Sequence, residues 1–190
     1  MAGEHEPRSD RRRGGRFSRT PRPRMADVTE AVPQPRRAAA EAEVAVSQET
    51  LSAIVDGGVA TGDALAVAEL AGVMGGKRTA DLLPLVHQTP LTNLLVQAVP
   101  DRAAGAIRIH AETAATAAAD VEMEALTAAA VAALALCDMV RGRDRSVEVR
   151  SLRLVSAGGG ESRWQRPDEE PAHRAEKPDR MAGRGPNRGR

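Results

Sequence analysis

The run Lys77-Arg78-Thr79-Ala80-Asp81-Leu82-Leu83-Pro84-Leu85-Val86-His87 gathers two cations, an acid and a histidine around an apolar turn. Cations in a loop can hold phosphate groups, and an imidazole titrates near neutral pH, so the run has parts for binding an anion and moving a proton. A second run, Asp120-Val121-Glu122-Met123-Glu124-Ala125-Leu126, sets two carboxylates where a long alanine-rich stretch begins. Asp138 and Arg141 stand near its other end, three residues apart. Carboxylates so placed can exchange protons with a substrate or accept from the N–H groups of a heterocycle.

Each group also has a plainer reading. Glu122 and Glu124 at a helix start complement the positive end of its dipole, worth roughly a few tenths of a kcal/mol each. Asp138 and Arg141 share a helical face and make a surface ion pair. An aspartate near a helix C-terminus is nevertheless electrostatically misplaced, which argues for a task. His87 beside an apolar turn serves as a structural donor, and Lys77 with Arg78 suits the negative end of a preceding helix. Spacing adds one constraint. Glu124 and Asp138 are 14 positions apart, about 21 Å along a helix at ~1.5 Å per residue. No small reacting centre touches both within one chain. Either one of them is structural, or two copies of the helix pair antiparallel and bring opposite ends together.

Other chemistries are poorly served. With one cysteine, Cys137, and the other histidines scattered at positions 5, 110 and 173, no zinc spacing arises. Gly57-Gly58, Gly75-Gly76 and Gly158 to Gly160 match neither a P-loop nor a dinucleotide fingerprint. No Ser-His-Asp or Cys-His arrangement is evident, and no cofactor is called for. A net charge of +1 gives no whole-molecule field toward nucleic acid or membrane. The chain has no stretch of about 18 consecutive apolar residues, so no membrane span is expected. The basic N-terminus lacks the apolar run of a secretory signal. A single cysteine fits a reducing cytoplasm.

The elements that must position these groups lie in the middle of the 190 residues. Residues 1–25 form an arginine-rich tail, with eight arginines by position 24, and residues 158–190 are again Gly, Pro, Arg and acid. Both are expected to be disordered, because neither can bury enough apolar surface to offset its ordering entropy. Met25-Ala26-Asp27-Val28 reads equally well as a start, with what precedes it an extension. Residues 26–157 hold the core, free of aromatics since Phe17 and Trp164 fall in the tails.

Within that core Glu41 to Ser47 reads as a strand, and Ser47 caps a helix carrying Leu51, Ile54 and Val55 on one face, ended by Gly57-Gly58. A second helix runs from Gly62 to Met74 and stops at Gly75-Gly76. Leu94 to Val99 is a strand, Pro100 to Gly105 a turn, and Ile107 to Thr113 a strand with one wet face. The long helix spans Val121 to Met139 and is apolar nearly all round, which calls for burial against a second subunit. Ser146 to Ser156 is the last strand, its change of phase at 150 and 151 implying a bulge or a bend. The order predicts an α+β fold, a two-layer domain with a mostly antiparallel sheet and helices on one face, ferredoxin-like.

Met25-Ala-Asp-Val, Asp56-Gly, Gly62-Asp63, Ala71-Gly72, Lys77-Arg78-Thr79, Asp81-Leu-Leu-Pro-Leu, His87, Val121-Glu-Met-Glu-Ala-Leu-Thr-Ala and Asp138-Met139 occur in that order. Together they resemble the molybdenum cofactor biosynthesis protein C family, the cyclic pyranopterin monophosphate synthases, from Met25 to about Ser156. The resemblance implies a cytoplasmic lyase, assembled as a hexamer of dimers with sites at subunit interfaces. Its substrate is a cyclised dihydro-GTP intermediate, converted to cyclic pyranopterin monophosphate with release of pyrophosphate. By resemblance Asp138 is the catalytic acid/base with Arg141 beside it, while Lys77, Leu85, Val86, His87, Glu122, Met123 and Glu124 contact substrate. The chain departs from the family pattern. Thr61 and Arg141 replace lysines, Val86 a cysteine, Gln88 a proline, and Ala117-Ala118-Ala119-Asp120 a loop with Gly and Lys. Arginine keeps charge but cannot shuttle a proton at neutral pH, and threonine does neither. A catalytically weak or inactive assembly subunit is therefore the alternative. A nucleic-acid role for the arginine tail finds no aromatic platform or recognition helix in the folded part.

Overall fold

The structure, a computed structural model, describes residues 23–57, 62–160 and 162–167. Most of the arginine-rich tail, Thr61 and the chain from 168 onward lie outside the described residues.

The first strand, β1 (Gln34–Ala45), alternates an inward set of Ala38, Ala40, Ala42 and Val44 with an outward set that includes Arg37, Glu41 and Glu43. It starts well before the expected Glu41. Alanines carry little strand signal, and pairing with two neighbours along its length supplies what propensity does not. Ser47 caps α1 (Gln48–Val55) by accepting from the Thr50 amide at 3.2 Å. Asp63 likewise caps α2 (Ala64–Lys77), its Oδ1 accepting from the amides of Leu65 and Ala66.

The glycine pair Gly75-Gly76, expected to stop this helix, lies inside it. A Cβ on Gly75 would stand 2.6 Å from Val131, and one on Gly72 2.9 Å from the Ala128 carbonyl oxygen. Glycine is there for close helix contact rather than termination. A four-residue turn, α3 (Thr79–Leu82), interrupts the expected loop. Then come β2 (Asn93–Asp101) and β3 (Ala106–Ala117). Pro100 and Asp101 belong to β2, so the connection is tighter than expected, with Asp101 accepting from Ala103 and Ala104 at 3.0 Å and Gly105 at φ 61°.

The helix α4 (Glu122–Val140) follows, then β4 (Glu148–Gly159) and β5 (Ser162–Gln165). The bulge expected near 150 is present, as Glu43 faces Ser151 and Val44 faces Val149, leaving Arg150 as the extra residue. A second shift at Val155 had no signal in the pattern. The C-terminal boundary needs correction: Gly158 and Gly159 pair with Arg37 and Arg36, and Trp164 pairs with Ala157. The glycines that resembled tail composition make a hairpin, with Gly160 at φ 57°.

The sheet order is β2-β3-β1-β4-β5, antiparallel throughout, with α2 and α4 packed together on one face. This is the expected α+β, ferredoxin-like arrangement, with a fifth strand added. Ala125, Ala128, Ala129, Ala132 and Leu136 of α4 are fully buried in the shared core with Ile107 and Ile109. By length and hydropathy α4 matches a membrane-crossing helix, but its inner face is the centre of this core. Its outer stripe is bare, Leu134 being 63% exposed, and Val67, Leu70 and Met74 of α2 are also exposed.

Candidate active site

Close packing of α2 on α4 decides which groups meet. Gly76 lies against the Glu124 carbonyl, where a Cβ would be 3.2 Å away, while Gly72 lies against Ala128 and Ala132. The two helices therefore run antiparallel, and Lys77, exposed as the last residue of α2, sits by the first turns of α4 with Glu122, Met123 and Glu124. That helix starts at Val121 with no side-chain cap, which leaves the amides of Glu122 and Met123 without a capping acceptor among the described residues. Thr113 fixes the junction, its hydroxyl donating to the Val121 carbonyl at 2.9 Å.

Glu124 is the unusual group here. Only 3% of it is exposed, and its Oε2 has no hydrogen-bond partner among the described residues. Burial raises its pKa, partly offset by its own amide. Glu122 is raised too, first by burial and then by the Asp120 charge. Arg36, which the sequence reading passed over, supplies a nearby cation: its Nη1 donates to Asp120 Oδ1 at 2.8 Å, and its Nε is buried with no partner among the described residues. The signal for it was parity. Arg36 shares the inward phase of Ala38, Ala40 and Ala42, where a charge needs a reason.

Leu85, Val86 and His87 follow α3, which packs on α4. Leu85 is exposed and His87 half-buried. His87 borders a hollow with Met25, Asp27 and Thr29, and no described hydrogen bond or ion pair joins it to the glutamates. Asp27 is held below the usual carboxylate range by the Thr29 hydroxyl and amide, with a smaller effect from His87.

Asp138 and Arg141 lie at the far end of α4, about 21 Å from Glu124 at ~1.5 Å per residue. Arg141 Nε donates to Asp138 Oδ1 at 2.8 Å, with both side chains more than 70% exposed. They edge a hollow with Met139, Gly142 and Arg145. One chain thus unites Lys77 with the three residues of the α4 start and leaves Asp138 and Arg141 apart.

The loop after α4 is held by Asp144, also missed from sequence. It is 6% exposed; its Oδ2 accepts from the Ser47 amide at 2.7 Å and its Oδ1 from the Ser146 amide and hydroxyl at 2.9 and 2.6 Å. These donors hold its carboxyl far below the usual range. The Asp144-x-Ser146 spacing, a turn in which an acid binds its own backbone, was the legible clue.

The sequence also matches known proteins over most of its length. Residues 25–160 match the MoaC family. The chain is 43% identical over 145 residues to a cyclic pyranopterin monophosphate synthase of Chloroflexus aurantiacus, covering 76% of this chain and 89% of the relative. It is 44% identical over 138 residues to the enzyme so named in Dinoroseobacter shibae, covering 73% and 87%. With that of Thermomicrobium roseum identity is 42% over 151 residues, covering 79% and 91%. Motif order, fold and a match across most of the sequence agree: the chain belongs to the MoaC family.

Proposed function

We propose that this protein is a cyclic pyranopterin monophosphate synthase of molybdenum cofactor biosynthesis, acting in the cytoplasm. It converts 3',8-cyclo-7,8-dihydroguanosine triphosphate to cyclic pyranopterin monophosphate as pyrophosphate leaves. The observation that carries the reading is Glu124, a buried carboxylate with an oxygen that has no partner among the described residues. A buried acceptor without a donor costs roughly 1–3 kcal/mol, and the N–H edge of a purine-derived ring would satisfy it. Lys77 and the uncapped start of α4 suit the phosphates. Leu85, Val86, His87, Met123 and Glu122 complete the contacts to the ring and sugar.

Asp138 supplies the proton-transferring group, with Arg141 beside it. Since α4 separates it from Glu124, a complete site needs two chains with antiparallel α4 helices, as in a homohexamer built of dimers. The bare stripes at Leu134 of α4 and at Val67, Leu70 and Met74 of α2 support that pairing. The rival reading, a weak or inactive assembly subunit, is favoured by the Asp138–Arg141 pair, where a guanidinium that cannot shuttle a proton engages the acid. Incubating the purified protein with the cyclised intermediate and assaying the fluorescent oxidation product of pyranopterin separates the two. Product formation supports the synthase. An oligomer without product supports the assembly subunit.

A further inference from the structure

The sheet face turned away from α2 and α4 carries a further polar hollow, beside the β4–β5 hairpin. Strand register sets Asn93, Ala114, Arg37, Gly158 and Arg163 in one row across all five strands. Arg37 and Arg163 therefore stand on either side of a glycine, about 10 Å apart at Cα for strands ~4.8 Å apart. Successive residues point to opposite faces, so Arg37 looks away from Arg36 and the helix-end carboxylates.

Arginines elsewhere in the strands are matched to acids: Arg36 to Asp120, Arg108 to Asp101, Arg150 to Glu43 and Glu148, and Arg153 to Glu41. Arg37 and Arg163 have no ion pair among the described residues. Glu112, the acid lining this hollow, is engaged with His110 Nε2 at 3.1 Å. The floor is small, made by Ala39, Ala114 and Gly158, so a bound group can come close to the backbone. The side chains of Ser156 and Asn93 add donors.

We propose that this hollow binds the phosphate groups of a small molecule, at a site separate from the helix-end carboxylates. Guanidinium forks match phosphate oxygens two at a time, and cations on both sides favour a group offering oxygens in both directions, as a diphosphate does. The proposal does not depend on the synthase reading, because none of these residues belongs to that site.

Calorimetric titration of the full chain with inorganic pyrophosphate at ~50 mM salt, where exposed charges are incompletely screened, tests it. The parent is Lys77→Ala with Arg141→Ala, which removes cations of the helix-end site. It should still bind pyrophosphate, and adding Arg37→Gln with Arg163→Gln should weaken that binding about tenfold or more. Gly158→Val should do the same while leaving the fold intact, since a Cβ there meets nothing nearer than 3.4 Å and valine suits a strand. Affinity unchanged by the arginine substitutions, or no binding by the parent, overturns the proposal. Acetate at equal ionic strength competing as well as orthophosphate also overturns it, because the hollow would then select charge rather than phosphate.

Discussion

The two ends of α4 carry the same kind of group in opposite circumstances. At the start, Glu124 is buried and its pKa is raised by burial. At the other end, Asp138 has a 72% exposed side chain and an arginine one turn away. The second arrangement is what any folded surface tolerates, and such a pair contributes about 0–1 kcal/mol. The first opposes folding. Stability therefore accounts for Asp138 and Arg141 but not for Glu124, so the buried end carries the functional argument and the exposed end must be tested through activity.

The largest expected effect follows directly. Asp138→Asn keeps shape and hydrogen bonding but removes the base, and should lower turnover by about 10²- to 10⁴-fold. Stability should move by less than about 1 kcal/mol, because the residue stands clear of the packed face. If the ends act together across two chains, exchanging subunits between Asp138→Asn and Glu124→Gln proteins restores activity, since some sites then contain neither change. A remixed sample as inactive as its parents rejects the shared site. Full activity in Asp138→Asn alone reduces the exposed end to a surface pair.

A next test changes two positions whose side chains cannot give up a proton at neutral pH, Thr61 and Arg141. Thr61→Lys with Arg141→Lys restores groups able to give up a proton and should raise turnover by about 10²-fold. Wild-type rates equal to those of the double variant remove the argument that these positions limit the chain.

Much of this contrast was legible in the sequence, because helix periodicity alone separates Glu124 from Asp138. The helix capped by Ser47 was found near its true limits, whereas the strand read from Ile107 to Thr113 starts as expected but runs on to Ala117, where alanines and threonines no longer alternate with charge. Reading failed where one residue type serves two physical ends. Gly75-Gly76 signalled a stop but serves helix packing, and Gly158 to Gly160 signalled a tail but serves a hairpin. The site followed the same rule. Charges in motifs were found, whereas Arg36 and Asp144 act through inward phase and backbone contacts, which local composition does not display.

Asp144 sharpens the comparison at the exposed end, where one buried acid holds the loop next to an exposed one. Asp144→Ala leaves the Ser47 amide without its acceptor and should cost about 1.5–3 kcal/mol in urea unfolding. Its lowered folded pKa fixes the sign: the contribution is fully present above the ordinary carboxylate pKa of about 4 and is lost as pH falls through the lower folded value. The difference between wild type and variant should thus be greatest near neutrality and shrink only in strong acid. A constant gap across that range would mean that the carboxylate charge contributes nothing.

The smallest expected effect has the opposite sign. For Glu124 the folded pKa is raised, so the folded state binds a proton more readily than the unfolded chain. Stability falls as pH rises from the ordinary carboxylate range through the folded value, and the full penalty is present above it. Glu124→Gln removes the charge and keeps the shape. It should stabilise the protein by about 1 kcal/mol near neutral pH, on the scale of burying a polar group without a partner, with the gain vanishing toward pH 4. A Glu124→Gln protein that loses stability near neutrality would show that the carboxylate meets a cation from a second chain. The buried end would then be an interface feature, and the contrast between the two ends would belong to the single chain alone.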